Sequence, residues 1–400
     1  MNLEIPKKFK PVIDAARGAA KTIFRPISRK YDVHEHDYPK ELDLLAAALQ
    51  GMADAGQSLG GASGNRGRKD ESNVSVKNGG NMSSVLNIMQ MCYGDVGLLL
   101  TIPGQGLGNA AIAAVANDEQ MKRLGKKWAA MAITEPGAGS DSAAIKATAI
   151  KDGDEYVLNA TKIFVTAGER ADCVVVWASV DPSKGRAAIK SFVVEKGTPG
   201  MKVERLETKM GIRASDTAVI SFTDCRVPAN NLLGSPEVNV QKGFAGVMET
   251  FDNTRPFVAA MAVGVAEAAL ERTKELLKER LSLNYTSPIN NLSAIESEIC
   301  KLESDYEAAR LLTIKAAWMA DNRIPNSVEA SISKAKAGRV GSRITLKCVE
   351  LCTSMGYSEA ELIEKWARDS KILDIFEGTQ QIQQLIIARR TLGLSSKELK

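Results

Sequence analysis

The hydrophobic period of this chain changes twice, and no other property of the sequence narrows its possible folds so far. Over residues 9–124 the pattern is alanine-rich and mainly helical, broken at 60–81 by a stretch dense in Gly, Asn, Ser, Arg and Lys that reads as a mobile loop. Over residues 129–234 the period becomes two, with 174–178, 191–194 and 218–222 as short β-rich runs between turns. From about residue 240 the helical period returns. There Val258, Met261, Val265 and Ala269 share one face, and Leu302, Tyr306, Ala309, Leu312 and Ala316 another; both read as core. The order helix, sheet, helix predicts an α+β chain in which a small β domain sits between two helical layers, with a four-helix bundle at the end. The expected boundaries are 1–126, 127–238 and 239–400.

Four hundred residues suit two or three packed units around a large core. The 52 basic and 48 acidic residues nearly cancel, and no dense basic stripe is interleaved with aromatics, which argues against nucleic acid as a partner. The six cysteines include no Cys-x-x-Cys and the histidines are only His34 and His36, so no zinc ligand set is expected. The start lacks the apolar run of a secretory signal, and no uncharged stretch of about 18 apolar residues occurs. A cytoplasmic protein with reduced thiols is expected, without a membrane span.

Residues 375–383, Ile-Phe-Glu-Gly-Thr-Gln-Gln-Ile-Gln, set a carboxylate in a short break before an amphipathic helix. A helix over 361–375 would be interrupted by Gly378, Thr379 would N-cap the next helix, and Glu377 would face a cavity. The plainer alternative is a solvated glutamate at a helix end. Apolar Ile375 and Phe376 before the break, and Ile382, Leu385 and Ile386 after it, place the break inside the protein. Residues 133–141, Ile-Thr-Glu-Pro-Gly-Ala-Gly-Ser-Asp, form a turn-rich loop, which is either a simple connection or a wall whose glycines let backbone approach a ligand closely. Three further segments follow in order: Lys-Ile-Phe-Val-Thr at 162–166, Lys-Met-Gly-Ile-Arg at 209–213 and Phe-Asp-Asn-Thr-Arg-Pro at 251–256.

In this order and spacing, the five segments resemble those of the acyl-CoA dehydrogenase family. The resemblance covers most of the chain, is firmest from Ala132 onward and is weakest over 60–81, where relatives often carry a shorter acidic, glycine-rich turn. It implies an FAD-dependent α,β-dehydrogenation of an acyl-CoA thioester to the trans-2-enoyl-CoA, with electrons passed to an electron-transfer flavoprotein, as in fatty acid β-oxidation. Glu377 would be the base that takes the α proton, with a pKa raised by burial, because an ordinary glutamate near ~4.3 is too weak a base for so weak an acid. Ile133, Thr134, Gly139, Ser140, Phe164, Thr166 and Thr379 match flavin-contact positions, with Phe164 standing where many relatives have tryptophan. Ser140, Asp252, Arg255 and Gly378 match substrate positions, and the small residues of 103–108 lie near the end of the family's acyl pocket, unless they are only a bend in a helix.

Two segments depart from the family's pattern. Homotetrameric relatives complete a neighbour's flavin site with Arg-x-x-Phe-Gly and Gln-x-x-Gly-Gly-x-Gly-[Phe/Tyr]. Here Ser282, Leu283, Asn284, Tyr285 and Thr286 replace the first, and Glu-Leu-Cys-Thr-Ser-Met-Gly-Tyr at 350–357 replaces the second. The chain is thus similar to actinobacterial members that work as heteromeric complexes, and the expectation is a heterotetramer with a homologous subunit, the alternative being a homotetramer. An acyl-CoA oxidase using oxygen, and a regulatory or scaffold subunit, are the competing functions.

Overall fold

The structure is a computed structural model that describes residues 5–54, 79–104, 106–238, 245–279, 281, 283, 285–286, 288, 291–395 and 398–399, the side chains of 49–54 and 245–253 excepted. Most of the 60–81 stretch and Gln105 lie outside the described residues. The first layer is helical: α1 Lys10–Ala19, α2 Arg25–Val33, α3 Glu41–Asp54, α4 Gly80–Gly94, α5 Val96–Leu99, α6 Leu107–Val115 and α7 Asp118–Leu124. Among the described residues seven strands follow: β1 Ala129–Ala132, β2 Thr148–Asp152, β3 Glu155–Thr166, β4 Cys173–Ser179, β5 Ile189–Glu195, β6 Met201–Leu206 and β7 Thr217–Pro228. The last layer comprises α8 Ala245–Leu276, α9 Ala294–Asp321, α10 Ser327–Leu351, α11 Thr353–Tyr357, α12 Ile363–Ile372 and α13 Gln380–Leu392.

All seven residues of β4 are buried, so it reads as a continuous apolar run and not as an alternating one. It pairs in parallel with β1 and antiparallel with β5, and touches β2 through the Thr148–Ser179 pair. Beyond that, β2, β3, β7 and β6 form an antiparallel ladder. One face of β4, with Val175 and Trp177, packs on Ala111 and Ile112 of α6. Gly106 and Gly108 permit this: a Cβ at either would stand 2.1 Å from the Ala129 carbonyl oxygen or 2.3 Å from that of Ala130. Gly106, at the cap of α6, and Gly108, in its first turn, therefore serve helix–strand packing, in a connection between helices and not at a bend within one.

In the last layer α10 packs on α8, α9, α12 and α13, and α8 also packs on α4. The two helical faces read from the sequence are in place, with Val258, Met261, Val265, Ala269, Leu302, Ala309 and Ala316 buried. Burying them contributes about 25 cal/mol per Å² of apolar area removed from water. A buried ionic knot fixes α12 against the other layers. Lys365 Nζ donates to Asp95 at 2.7 Å and to Asp369 at 2.5 Å, Ser28 donates to Asp95, and Asp369 accepts the Ile212 amide at 2.5 Å. The 209–213 segment thereby joins the β domain to the helix that leads into Glu377.

Candidate active site

Helix α12 stops at Ile372, short of the expected 375, and the chain turns before α13 begins at Gln380. Glu377 and Gly378 lie in the turn with φ of 57° and 92°. The left-handed region is ordinary for glycine, but a glutamate there is strained by roughly 1–3 kcal/mol and persists only where its surroundings over-determine it. They do so through two wholly buried side chains. Gln383 Nε2 donates to the carbonyls of Glu377 and Gly378 at 3.0 and 3.1 Å, and Lys334 Nζ donates to that of Gly378 at 2.6 Å. Thr379 caps α13, its hydroxyl accepting the Ile382 amide at 3.4 Å, as the sequence implied.

The Glu377 carboxylate accepts a hydrogen bond from the Thr254 hydroxyl at 2.8 Å. Among the described residues no cation forms an ion pair with it, although Arg255 and Lys334 act on it electrostatically. Burial pushes its pKa above the ordinary glutamate value, against the pull of the Thr254 hydroxyl and the charges of Arg255 and Lys334. Arg255 is 2% exposed in α8, one residue after Thr254. The Asp252 side chain lies outside the described residues. One expectation needs correction: Ile375 is 45% exposed, and Phe376, Ile382, Leu385 and Ile386 are half-buried. The polar partner at the carboxylate is Thr254 of α8, and Lys334 of α10 holds the adjoining Gly378 carbonyl.

The 133–141 loop closes on itself, Glu135 and Ala138 exchanging backbone hydrogen bonds at 3.1 Å each. It is held from beneath by a buried ion pair, Lys162 Nζ to Glu135 at 2.7 Å, while Lys162 also donates to the Ile133 carbonyl at 3.0 Å. The other Glu135 oxygen accepts the Lys146 amide at 2.7 Å, and the Ile163 amide donates to the Thr134 carbonyl at 2.9 Å. Ile133 and Thr134 are thereby locked beside β3. At the register shift between Lys162 and Val165, Phe164 takes φ 57° and leaves its ring 62% exposed. Thr166, half-buried, ends β3. Gly139 and Ser140 are exposed, and a Cβ built at Gly137 or Gly139 meets no described atom within 4 Å. An exposed aromatic face, two hydroxyl residues and room beside the glycines suit a planar cofactor.

The structure thus gathers Glu377, Gly378, Thr379 and Arg255 at one corner, and Ile133, Thr134, Phe164 and Thr166 along the 133–141 loop and β3. Sequence reasoning passed over Thr254, Lys334, Gln383 and the Glu135–Lys162 pair. Thr254 and Glu135 lie inside motifs already singled out, which was signal enough. Gln383 closes the 375–383 segment but, like Lys334, which lies in no motif, it carries no signal of its own, since a lysine or glutamine in a helix ordinarily reads as surface.

Residues 130–225 match the acyl-CoA dehydrogenase middle domain and residues 241–392 its C-terminal domain. The acryloyl-CoA reductase (NADH) of Anaerotignum propionicum is 40% identical over 270 residues, covering 67% of each chain. The chain belongs to the acyl-CoA dehydrogenase family. The short-chain specific acyl-CoA dehydrogenase of Clostridium acetobutylicum is 37% identical over 66% of this chain and 68% of its own. Butyryl-CoA dehydrogenase from Megasphaera elsdenii superposes with a TM-score of 0.84 at 32% identity, over 98% of this chain and 100% of the other. Its chemistry is accordingly acyl-CoA dehydrogenation, an oxidoreductase reaction on a CH–CH bond. Among the described residues no helix is long and apolar enough to cross a membrane.

Proposed function

We propose that this acyl-CoA dehydrogenase uses Glu377 as the base that removes the α proton of an acyl-CoA thioester, with FAD as cofactor. The observation that carries the reading is a desolvated carboxylate of raised pKa, hydrogen-bonded to a hydroxyl and held at a strained backbone position. Proton transfer to the carboxylate leaves an enolate on the thioester. Among the described residues no acceptor takes the Glu377 amide, so its N–H is available to the enolate oxygen, and Arg255 supplies positive charge near the base. Ile133, Thr134, Gly139, Ser140, Phe164, Thr166 and Thr379 would hold the flavin, Phe164 through its ring and Thr379 through the start of α13. Ser140, Asp252, Arg255 and Gly378 would contact the substrate. Bound FAD supplies the acceptor for the hydride leaving the β carbon. This reading divides the chain at 1–126, 127–238 and 239–400.

Glu377→Gln should keep the flavin and lower anaerobic flavin reduction by butyryl-CoA about 10²–10⁴-fold. A rate within threefold of wild type would remove Glu377 from the mechanism. An electron-transfer flavoprotein is the proposed acceptor, so the substrate-reduced enzyme should reoxidise slowly in air. Rapid reoxidation with peroxide would instead mark an oxidase.

The proposed assembly is a heterotetramer with a homologous subunit. Glu350, on α10, is solvated and paired with Lys347 at 2.6 Å, and puts negative charge where the family's pattern has glutamine. Tyr357 is 80% exposed and Met355 49%, which leaves apolar surface for a partner beside that segment. Flavin content and mass of the protein expressed alone and with such a subunit test this; a fully active homotetramer with one FAD per chain would refute it.

A further inference from the structure

Among the described residues three lysines are wholly buried: Lys162, Lys334 and Lys365. Two have carboxylate partners within 2.7 Å, Glu135 for Lys162 and Asp95 and Asp369 for Lys365. Lys334 differs. Its ammonium donates to a main-chain carbonyl, that of Gly378 at 2.6 Å, and the carboxylates of Asp374 and Glu377 act on it from a distance, together with the opposing charge of Arg255. Burial lowers its pKa to about 8, only partly offset by Asp374 and Glu377. A buried ammonium without a paired carboxylate is costly, and packing alone would favour a methionine there. The position of that ammonium gives it a use. At 2.6 Å it is the nearer of two donors to the second carbonyl of the left-handed step at 377–378, the step that aims the base; Gln383 shares that carbonyl at 3.1 Å and also holds the first.

We propose that Lys334 is a positioning residue for the base: it clamps the Gly378 carbonyl, so setting the direction of the Glu377 side chain, and adds positive charge that favours the carboxylate. The proposal rests on the reading of Glu377 as the base. The clamp keeps the strained turn from relaxing and returning Glu377 to solvent. The charge works with Arg255 and the Thr254 hydroxyl against desolvation, leaving the base strong yet ionised over more of the working pH range.

The test uses flavin-loaded Lys334→Met, Lys334→Arg and Lys334→Gln. Two quantities are read: the pH profile of anaerobic flavin reduction by butyryl-CoA, and the pH midpoint of the protonated Glu377 carboxyl band in infrared difference spectra, assigned by its loss in Glu377→Gln. In Lys334→Met the acid limb and the infrared midpoint should both move up by about one unit, and kcat at neutral pH should fall about tenfold with little change in KM. Lys334→Arg, which keeps the charge, should leave the midpoint near wild type. Should Lys334→Met fail to hold flavin, Lys334→Gln, which keeps a donor but not the charge, must show the same upward shift. An unmoved limb and midpoint in a folded, flavin-loaded neutral variant would overturn the proposal. Undiminished flavin reduction in Glu377→Gln would overturn the base assignment instead, whatever Lys334 does.

Discussion

The β domain and the α10–α13 corner each bury a lysine near a glutamate, and they treat the pair in opposite ways. In the β domain Lys162 and Glu135 meet at 2.7 Å, and the remaining Glu135 valences go to the amides of Lys146 and Ala147. That carboxylate is fully engaged, and the pair serves as a fastener for the 133–141 loop. At the corner Lys334 bonds to backbone, and Glu377 accepts from a hydroxyl. Its charge is left incompletely compensated. A matched pair gives a rigid wall; an unmatched one leaves a carboxylate able to take a proton.

If that contrast holds, Lys162→Met should lose about 3–5 kcal/mol in urea unfolding, because Glu135 is left charged and buried. Lys334→Met should change stability by no more than about 1 kcal/mol, one hydrogen bond being offset by a removed desolvation cost. Equal losses would erase the distinction. Thr254→Val, nearly isosteric, removes the hydroxyl donor to Glu377 and should lower flavin reduction at acid pH about fivefold, one such bond being worth about 1 kcal/mol, by moving the acid limb upward. Thr379→Ala should cost about 1 kcal/mol of stability through the lost α13 cap, with no shift in that limb.

The contrast is also read in the pH dependence of unfolding. Glu377 has its folded pKa raised, so the native state holds a proton that the unfolded state releases, and stability falls as pH rises from the ordinary glutamate range through the raised value. Glu377→Gln should flatten that decline. Lys334 acts at the other end: with a folded pKa of about 8, the native state gives up its proton before the unfolded chain does, so stability rises from about pH 8 towards the ordinary lysine value. Lys334→Met should remove the rise. A pH-independent difference between variant and wild type would show that neither group is shifted.

The fold was largely legible because hydrophobic period and layer order report on burial, which dominates folding; β4, β5 and β7 lie where the period-two runs stood. The base corner was legible for its chemistry and its cap, Glu377 in a break and Thr379 at a helix start. Its environment was not. Ile375 and Phe376 promised an apolar pocket, yet Ile375 is exposed, and the polar groups that meet the corner, Thr254 of α8 at the carboxylate and Lys334 of α10 at the Gly378 carbonyl, are distant in sequence and brought together only by helix packing. The glycines at 106 and 108 seat α6 on β1, a use the sequence did not show. Glycine records a close approach without recording what approaches.

The central claim, that the corner leaves Glu377 able to accept a proton from the α carbon, is tested most directly by deuterium exchange at that carbon. Butyryl-CoA incubated anaerobically in heavy water with the flavin-loaded protein, and read by mass spectrometry, reports proton removal apart from reoxidation. Wild type should wash deuterium into the α position, and Glu377→Gln should do so at least about 10²-fold more slowly while melting no lower at neutral pH. Exchange in Glu377→Gln at the wild-type rate would contradict the account.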